Sequence, residues 1–148
     1  MDRKVLDKLQ GQCSRREYCV KDMRAKALKA LEGDRAAADE IVECLISDGY
    51  VDEGRYAGAF ARDRSSLGGW GPLKIRQALA AKDIPPEIIA EALEGMDADR
   101  SDARLDRLLA AKRKSLEGDP QQRLKLLRYL LGRGYEYEAV EKAIERCK

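Results

Sequence analysis

The chain has 148 residues, 38% of them Asp, Glu, Lys or Arg, a net charge of +2 and no histidine. That removes the side chain most used as a general base and as a metal ligand, and one Trp and one Phe leave little aromatic bulk for a single deep core. Thr and Asn are absent too, while Ala, Leu, Glu, Lys and Arg dominate; these enter helices at least cost, and β-branched residues never alternate with polar ones over a strand's length, so an all-α fold is expected.

The N-terminal Met1-Asp2-Arg3-Lys4 leads into charge rather than an apolar signal core. No apolar run nears the roughly 20 residues that span a bilayer, so a cytoplasmic protein with no membrane partner is expected. A short first helix carries Leu6 and Leu9. A second carries Ala27, Leu28 and Leu31 and stops at Glu32-Gly33-Asp34, where Gly33 suits a left-handed C′ position. A third has the stripe Ile41, Val42, Leu45 and Ile46. Asp52 can cap the next helix, with Tyr56, Ala57, Phe60 and Ala61, which the Gly68–Pro72 turn ends. Ile75, Ala78 and Leu79 follow, then Lys82-Asp83-Ile84, with Pro85 at the first position of a helix striped by Ile88, Ile89, Ala92, Leu93 and Met96. Asp99 or Ser101 can cap the helix of Leu105, Leu108, Leu109 and Leu116, which Gly118-Asp119-Pro120 ends. Leu126, Tyr129 and Leu130 come next, Gly134 closes that helix, and Ala139, Val140, Ala143, Ile144 and Cys147 form the last stripe.

The stripe at 88–96 therefore recurs 51 residues later and 47 earlier. A period near 50 predicts three tandem three-helix repeats, over 3–51, 52–98 and 99–148. Each is marginal alone, so neighbours supply the remaining burial in an elongated, curved array. Cys13, Cys19, Cys44 and Cys147 lack zinc-site spacing and read as thiols, so no metal or cofactor is expected.

Charge follows the same period. Residues 1–33, 55–82 and 100–133 carry net +4, +5 and +6, whereas 34–54 and 83–99 each carry −6 and 134–148 carry −1. Two arrangements fit. Basic and acidic helices pair within the stack, or they form a basic side that follows a polyanion and an acidic side that meets a protein. Gly68-Gly69-Trp70-Gly71 lacks the Gly-Lys-Ser/Thr of a phosphate loop, and pairs such as Asp52-Glu53 are ordinary helix-start residues, so no enzyme is expected. Candidate contacts on the basic side are Arg15, Arg16, Lys21 and Arg24; Arg62, Arg64, Lys74 and Arg76; and Lys112, Arg113, Lys114, Lys125 and Arg128. Trp70 either staples the second helix of its unit onto the first or anchors an interface. Aromatic residues do not interleave with basic ones along the chain, so strong independent single-strand binding is not expected.

Several of these segments resemble the RecX regulatory family. Cys13-Ser14-Arg15-Arg16-Glu17 is similar to its Ser-Arg-x-Glu signature, here placed on a basic helix. Leu45–Ala57, with Gly49-Tyr50, Asp52-Glu53 and Arg55-Tyr56-Ala57, resembles its core motif, and Gly69-Trp70-Gly71-Pro72-Leu73-Lys74-Ile75 its Gly-x-x-x-Ile step, followed by Leu79 and Lys82-Asp83-Ile84-Pro85. Gly54 and Asp83 depart from the pattern, which usually has a charged residue and Gly there. The resemblance implies a monomeric protein that binds the RecA recombinase along its filament groove on DNA and inhibits its ATPase and strand exchange, regulating recombination and the SOS response. It also implies weak direct contact with single- or double-stranded DNA. The alternative is a helical repeat protein that binds DNA without sequence preference, through phosphates alone; a third is a scaffold contacting only proteins.

Overall fold

The fold is described from a computed structural model covering residues 1–147; Lys148, the end of the expected third unit, lies outside the described residues. Among the described residues there are nine helices and no strand. They are α1 (Arg3–Cys13), α2 (Val20–Ala30), α3 (Arg35–Ser47), α4 (Glu53–Ser66), α5 (Pro72–Ala81), α6 (Pro86–Glu94), α7 (Ala98–Ser115), α8 (Gln122–Gly132) and α9 (Tyr137–Arg146).

Local chemistry explains most of the ends. Asp2, Asp34, Asp52 and Asp97 accept from backbone N–H groups in the first turns of α1, α3, α4 and α7, satisfying donors that a helix start leaves open. Asp97 thus caps α7 in place of Asp99 or Ser101: the helix runs back over polar residues that apolar periodicity cannot register. Pro86 rather than Pro85 opens α6, because a residue preceding proline is pushed out of the helical region. Gly134 takes the left-handed C′ position after α8, at φ 98°, but after α2 that position falls to Glu32, at φ 55°, with Gly33 one residue further on at φ 86°. Asp83 holds the matching position after α5 at φ 59° despite its Cβ.

Extensive helix packing lies inside consecutive triplets, α1–α3, α4–α6 and α7–α9. The first encloses Leu6, Leu9, Met23, Ile41 and Leu45, the second Tyr56, Ala57, Ile75, Leu79 and Ile89, the third Leu105, Leu109, Leu126, Leu130 and Val140. A compact 16.6 kDa monomer exposes about 7,600 Å²; this chain exposes 9257 Å². Stringing three small cores in a row accounts for the excess, and the array is elongated. Two stripes are less buried than their period implies. Ile46 is 45% exposed. In α6 only Ile89 is fully buried, because Gly54 and Gly58 of α4 leave an open groove beside Ile88, Ala92 and Met96.

The triplets join at helix ends. At the first junction the Lys21 ammonium donates to the carbonyl of Ala81, the last residue of α5, at 3.1 Å. Lys82 donates to Asp22 at 2.8 Å and Arg55 to Glu17 at 2.9 Å. Cys19, N-terminal to α2, is fully buried in the second core. At the second junction backbone meets backbone. The N–H groups of Gly71 and Leu73 donate to the carbonyls of Arg133 and Gly134 at 2.7 and 2.9 Å. Gly71 has no side chain to cap α5, so the turn after α8 caps it instead. A Cβ at Gly71 would stand 2.5 Å from the Gly134 carbonyl, and one at Gly134 would collide with Lys74. Neither position tolerates a side chain.

Candidate nucleic-acid and protein interaction surface

The candidate cations fall into three groups according to what holds them. In the first, charge is already spent on the fold. Lys21 pairs with Asp83 at 3.5 Å, Arg24 with Asp39 at 3.1 Å and Lys125 with Asp119 at 2.6 Å, while Arg113 donates to the Cys147 carbonyl at the end of α9. The Lys112-Arg113-Lys114 run is accordingly divided, its middle member turned inward.

In the second group an aromatic ring holds the cation. Arg16 lies 4.5 Å from the centroid of Tyr18. Arg64 lies 5.2 Å from Phe60 and 5.1 Å from Trp70, and Lys74 4.5 Å from Trp70. Lys112 lies 4.9 Å from Tyr129. Trp70 packs edge-on against Phe60, centroids 6.1 Å apart and planes at 73°, so it staples α5 to α4 while carrying two cations. The sequence reasoning missed Lys26, 5.3 Å from Tyr18, and Arg133, 5.8 Å from Tyr129. Phe60–Arg64, Trp70–Lys74 and Tyr129–Arg133 are all spaced i, i+4, so the pairing of neighbours one helical turn apart was the available signal. Basic and aromatic groups that do not alternate along the chain do so in space.

Arg15, Arg62, Arg76, Lys114 and Arg128 make up the third group. All are exposed, and none has a carboxylate partner among the described residues. Arg15 and Arg16 lie in the turn between α1 and α2, not on a helix: α1 ends at Cys13, and the N–H groups of both arginines bond back to the Gln12 carbonyl.

Acidic and basic helices do pair, in part: Arg24–Asp39 joins α2 to α3 and Arg123–Glu141 joins α8 to α9 at 2.8 Å. The middle unit differs. Glu87, Glu91 and Glu94 on α6 are exposed without a cationic partner among the described residues.

A groove of about 760 Å³ lies at the first junction, lined by Arg16, Tyr56, Phe60, Asp63, Arg64 and Leu67 among others, with Leu67 86% exposed at its edge. Asp22 and Lys82 also reach it. Burial alone would raise the Asp22 carboxyl, but hydrogen bonds from the Lys82 ammonium and the Cys19 thiol outweigh it and hold the carboxyl below its ordinary range. The same bond to Asp22 raises Lys82. Glu53 goes the other way. Burial raises it, against a bond from the Val20 N–H, and its Oε2 is buried without a partner. The four cysteines are free thiols, and burial pushes Cys13 and Cys19 up.

An elongated stack of three-helix units with charge-bearing turns and grooves places the chain among the helical-repeat proteins. Residues 52–93 match the second three-helix domain of RecX and residues 101–144 the third. A regulatory protein RecX of Chromohalobacter salexigens is 34% identical over 88% of this chain and 84% of its own length. One of Xanthomonas axonopodis pv. citri is 33% identical over 90% and 81%. The crystal structure of RecX from Lactobacillus salivarius superposes with a TM-score of 0.82 at 22% identity, covering 97% of this chain and 94% of its own. A crystal structure of regulatory protein RecX gives 0.85 at 20% identity, covering 96% and 70%. The chain belongs to the RecX family. Among the described residues no helix is long and apolar enough to cross a membrane.

Proposed function

We propose that this chain is a non-catalytic regulator of homologous recombination and the SOS response. It binds RecA in the groove of the RecA–DNA filament and lowers its ATPase and strand-exchange activity. The observation that carries this beyond family membership is the recurrence of exposed cations without carboxylate partners: Arg15 near α1, Arg62 and Arg76 on α4 and α5, and Lys114 and Arg128 on α7 and α8. A filament repeats its own charges along its axis, and an elongated array that engages several subunits together gains from the high effective concentration of the second and third contacts. The unpaired carboxylates of α6 provide the opposite polarity for a protein surface. The units are those expected over 3–51, 52–98 and 99–148, with α7 of the third opening one residue earlier, at Ala98, and the protein acts as a cytoplasmic monomer without a cofactor.

The test is a titration of RecA's DNA-stimulated ATPase. The rate is expected to fall as the protein approaches one copy per few RecA subunits; an unchanged rate at stoichiometric protein removes the proposal. The cations held on rings favour a second reading, in which DNA phosphates alone are bound. That reading requires naked DNA to account for all binding at physiological salt, with a steep dependence on salt.

A further inference from the structure

We propose that Tyr18, Trp70 and Tyr129 are positioning residues that hold Arg16 and Lys26, Arg64 and Lys74, and Lys112 and Arg133 as one continuous row of contacts for the phosphodiester backbone of a nucleic-acid strand. The row deepens the filament reading, and its test is built to fail independently of it.

Three observations converge. The first is recurrence. One ring in each unit holds two cations, at 4.5 to 5.8 Å from its centroid. The second is what a ring does to a charge. A carboxylate fixes a cation but cancels its field, as Asp119 does for Lys125 and Asp39 for Arg24. A ring face attracts the cation through its quadrupole and leaves the net charge whole. The head group is then ordered before any ligand arrives, which lowers the entropy lost on binding.

The third is continuity. Arg16 and Arg64 line the same groove at the first junction. Lys74 lies against Gly134 at the second, and a guanidinium nitrogen of the preceding Arg133 reaches to 3.3 Å from where a Gly69 Cβ would be. The sequence Lys26–Tyr18–Arg16, Arg64–Trp70–Lys74, Arg133–Tyr129–Lys112 therefore crosses both junctions. A charge row that repeats unit by unit suits a polymer of phosphates better than a single acidic patch on a protein. Three carboxylates oppose it in the groove, Glu17, Asp22 and Asp63: Glu17 and Asp22 are paired with Arg55 and Lys82, while Asp63 has no cationic partner among the described residues.

The experiment uses the full chain and a fluorescein-labelled single-stranded 30-mer without RecA, with affinity measured by anisotropy across a salt series. Six phosphate contacts on a single strand give a log–log slope of about −4. The double variant Arg64→Gln/Lys74→Gln should make it shallower by about 1.4, whereas Arg123→Gln/Lys125→Gln, which removes cations already paired, should leave it unchanged. Trp70→Leu and Tyr129→Leu keep every cation, so they should weaken binding about fivefold to tenfold at one salt concentration without changing the slope. Tyr129→Phe, which keeps the ring face, should restore affinity. Asp63→Ser should tighten binding.

An unchanged slope in Arg64→Gln/Lys74→Gln overturns the proposal, and so does an equal loss in Arg123→Gln/Lys125→Gln. Should a ring variant lose helicity by circular dichroism, the cation variants still decide. If the variants bind DNA normally but no longer inhibit RecA's ATPase, the row faces protein carboxylates and the proposal fails. If the slopes behave as stated while wild-type protein leaves the ATPase untouched, the row stands and the filament reading falls.

Discussion

The two junctions solve one problem with different chemistry. Between the first and second triplets, side chains from either side trade charges: Lys21 with Asp83, Lys82 with Asp22 and Arg55 with Glu17. Between the second and third, two backbones lie so close that only glycine fits at Gly71 and Gly134, and amides bond directly to carbonyls. A charged junction is tolerant of sequence and responsive to solution conditions. One made of backbone is the reverse, indifferent to salt and intolerant of a single methyl group.

The largest effect is expected from that methyl group. Gly71→Ala drives a Cβ into the Gly134 carbonyl, and Gly134→Ala adds a left-handed backbone to its collision with Lys74. Each should cost about 3 kcal/mol, lowering the melting temperature by about 10 °C at this chain length. Retention of the wild-type melt in either variant would show that the junction yields rather than locks. At the first junction Lys82→Met should cost only about 1 kcal/mol in urea unfolding, since Lys82 and Asp22 remain 41% and 25% exposed. Raising NaCl from 0.05 to 1 M should reproduce part of that loss at α2 and none at α8, as read by hydrogen exchange.

Acid gives a finer separation. The lowered Asp22 contributes stability above its unfolded value near 3.9 and loses it as pH falls through its folded value. Glu53 is raised, so its contribution has the opposite sign, present at low pH and lost as pH rises through its folded value. The first junction should therefore firm slightly as pH drops toward the ordinary glutamate value near 4.3 and loosen as it falls below the ordinary aspartate value near 3.9. Glu53→Gln should abolish the firming, measured as exchange protection of α2, and leave the loosening. Smallest of all, Asp83→Gly relieves a left-handed residue but gives up an exposed ion pair with Lys21. It should change stability by less than about 0.5 kcal/mol in urea.

What could be read in the sequence was what depends on near neighbours. The apolar stripes, the cap at Asp52 and the glycine stop at Gly134 all arise within a turn or two of chain, so the tandem helical organisation was legible. Ile46 was misplaced because periodicity says which face a residue shares but not whether a neighbour covers that face. The Ser14–Glu17 signature was assigned to a helix that ends before it, at Cys13. The surface was half legible. Lys21, Arg24 and Lys125 look like free cations until Asp83, Asp39 and Asp119 are in place, and Lys82 meets Asp22 from 60 residues away. The rings at Trp70 and Tyr129 were within reach of local spacing, one helical turn before Lys74 and Arg133.

The borrowed cap on α5 has a consequence for how the chain is made. Gly71 and Leu73 leave the ribosome about 60 residues before the carbonyls of Arg133 and Gly134 that receive their amides. At roughly 5–20 residues per second, α5 waits about 3–12 s with its opening turn bonded only to water. The middle of the protein is thus finished from its end, and a nascent chain halted short of Arg133 carries a second helix layer that is still open.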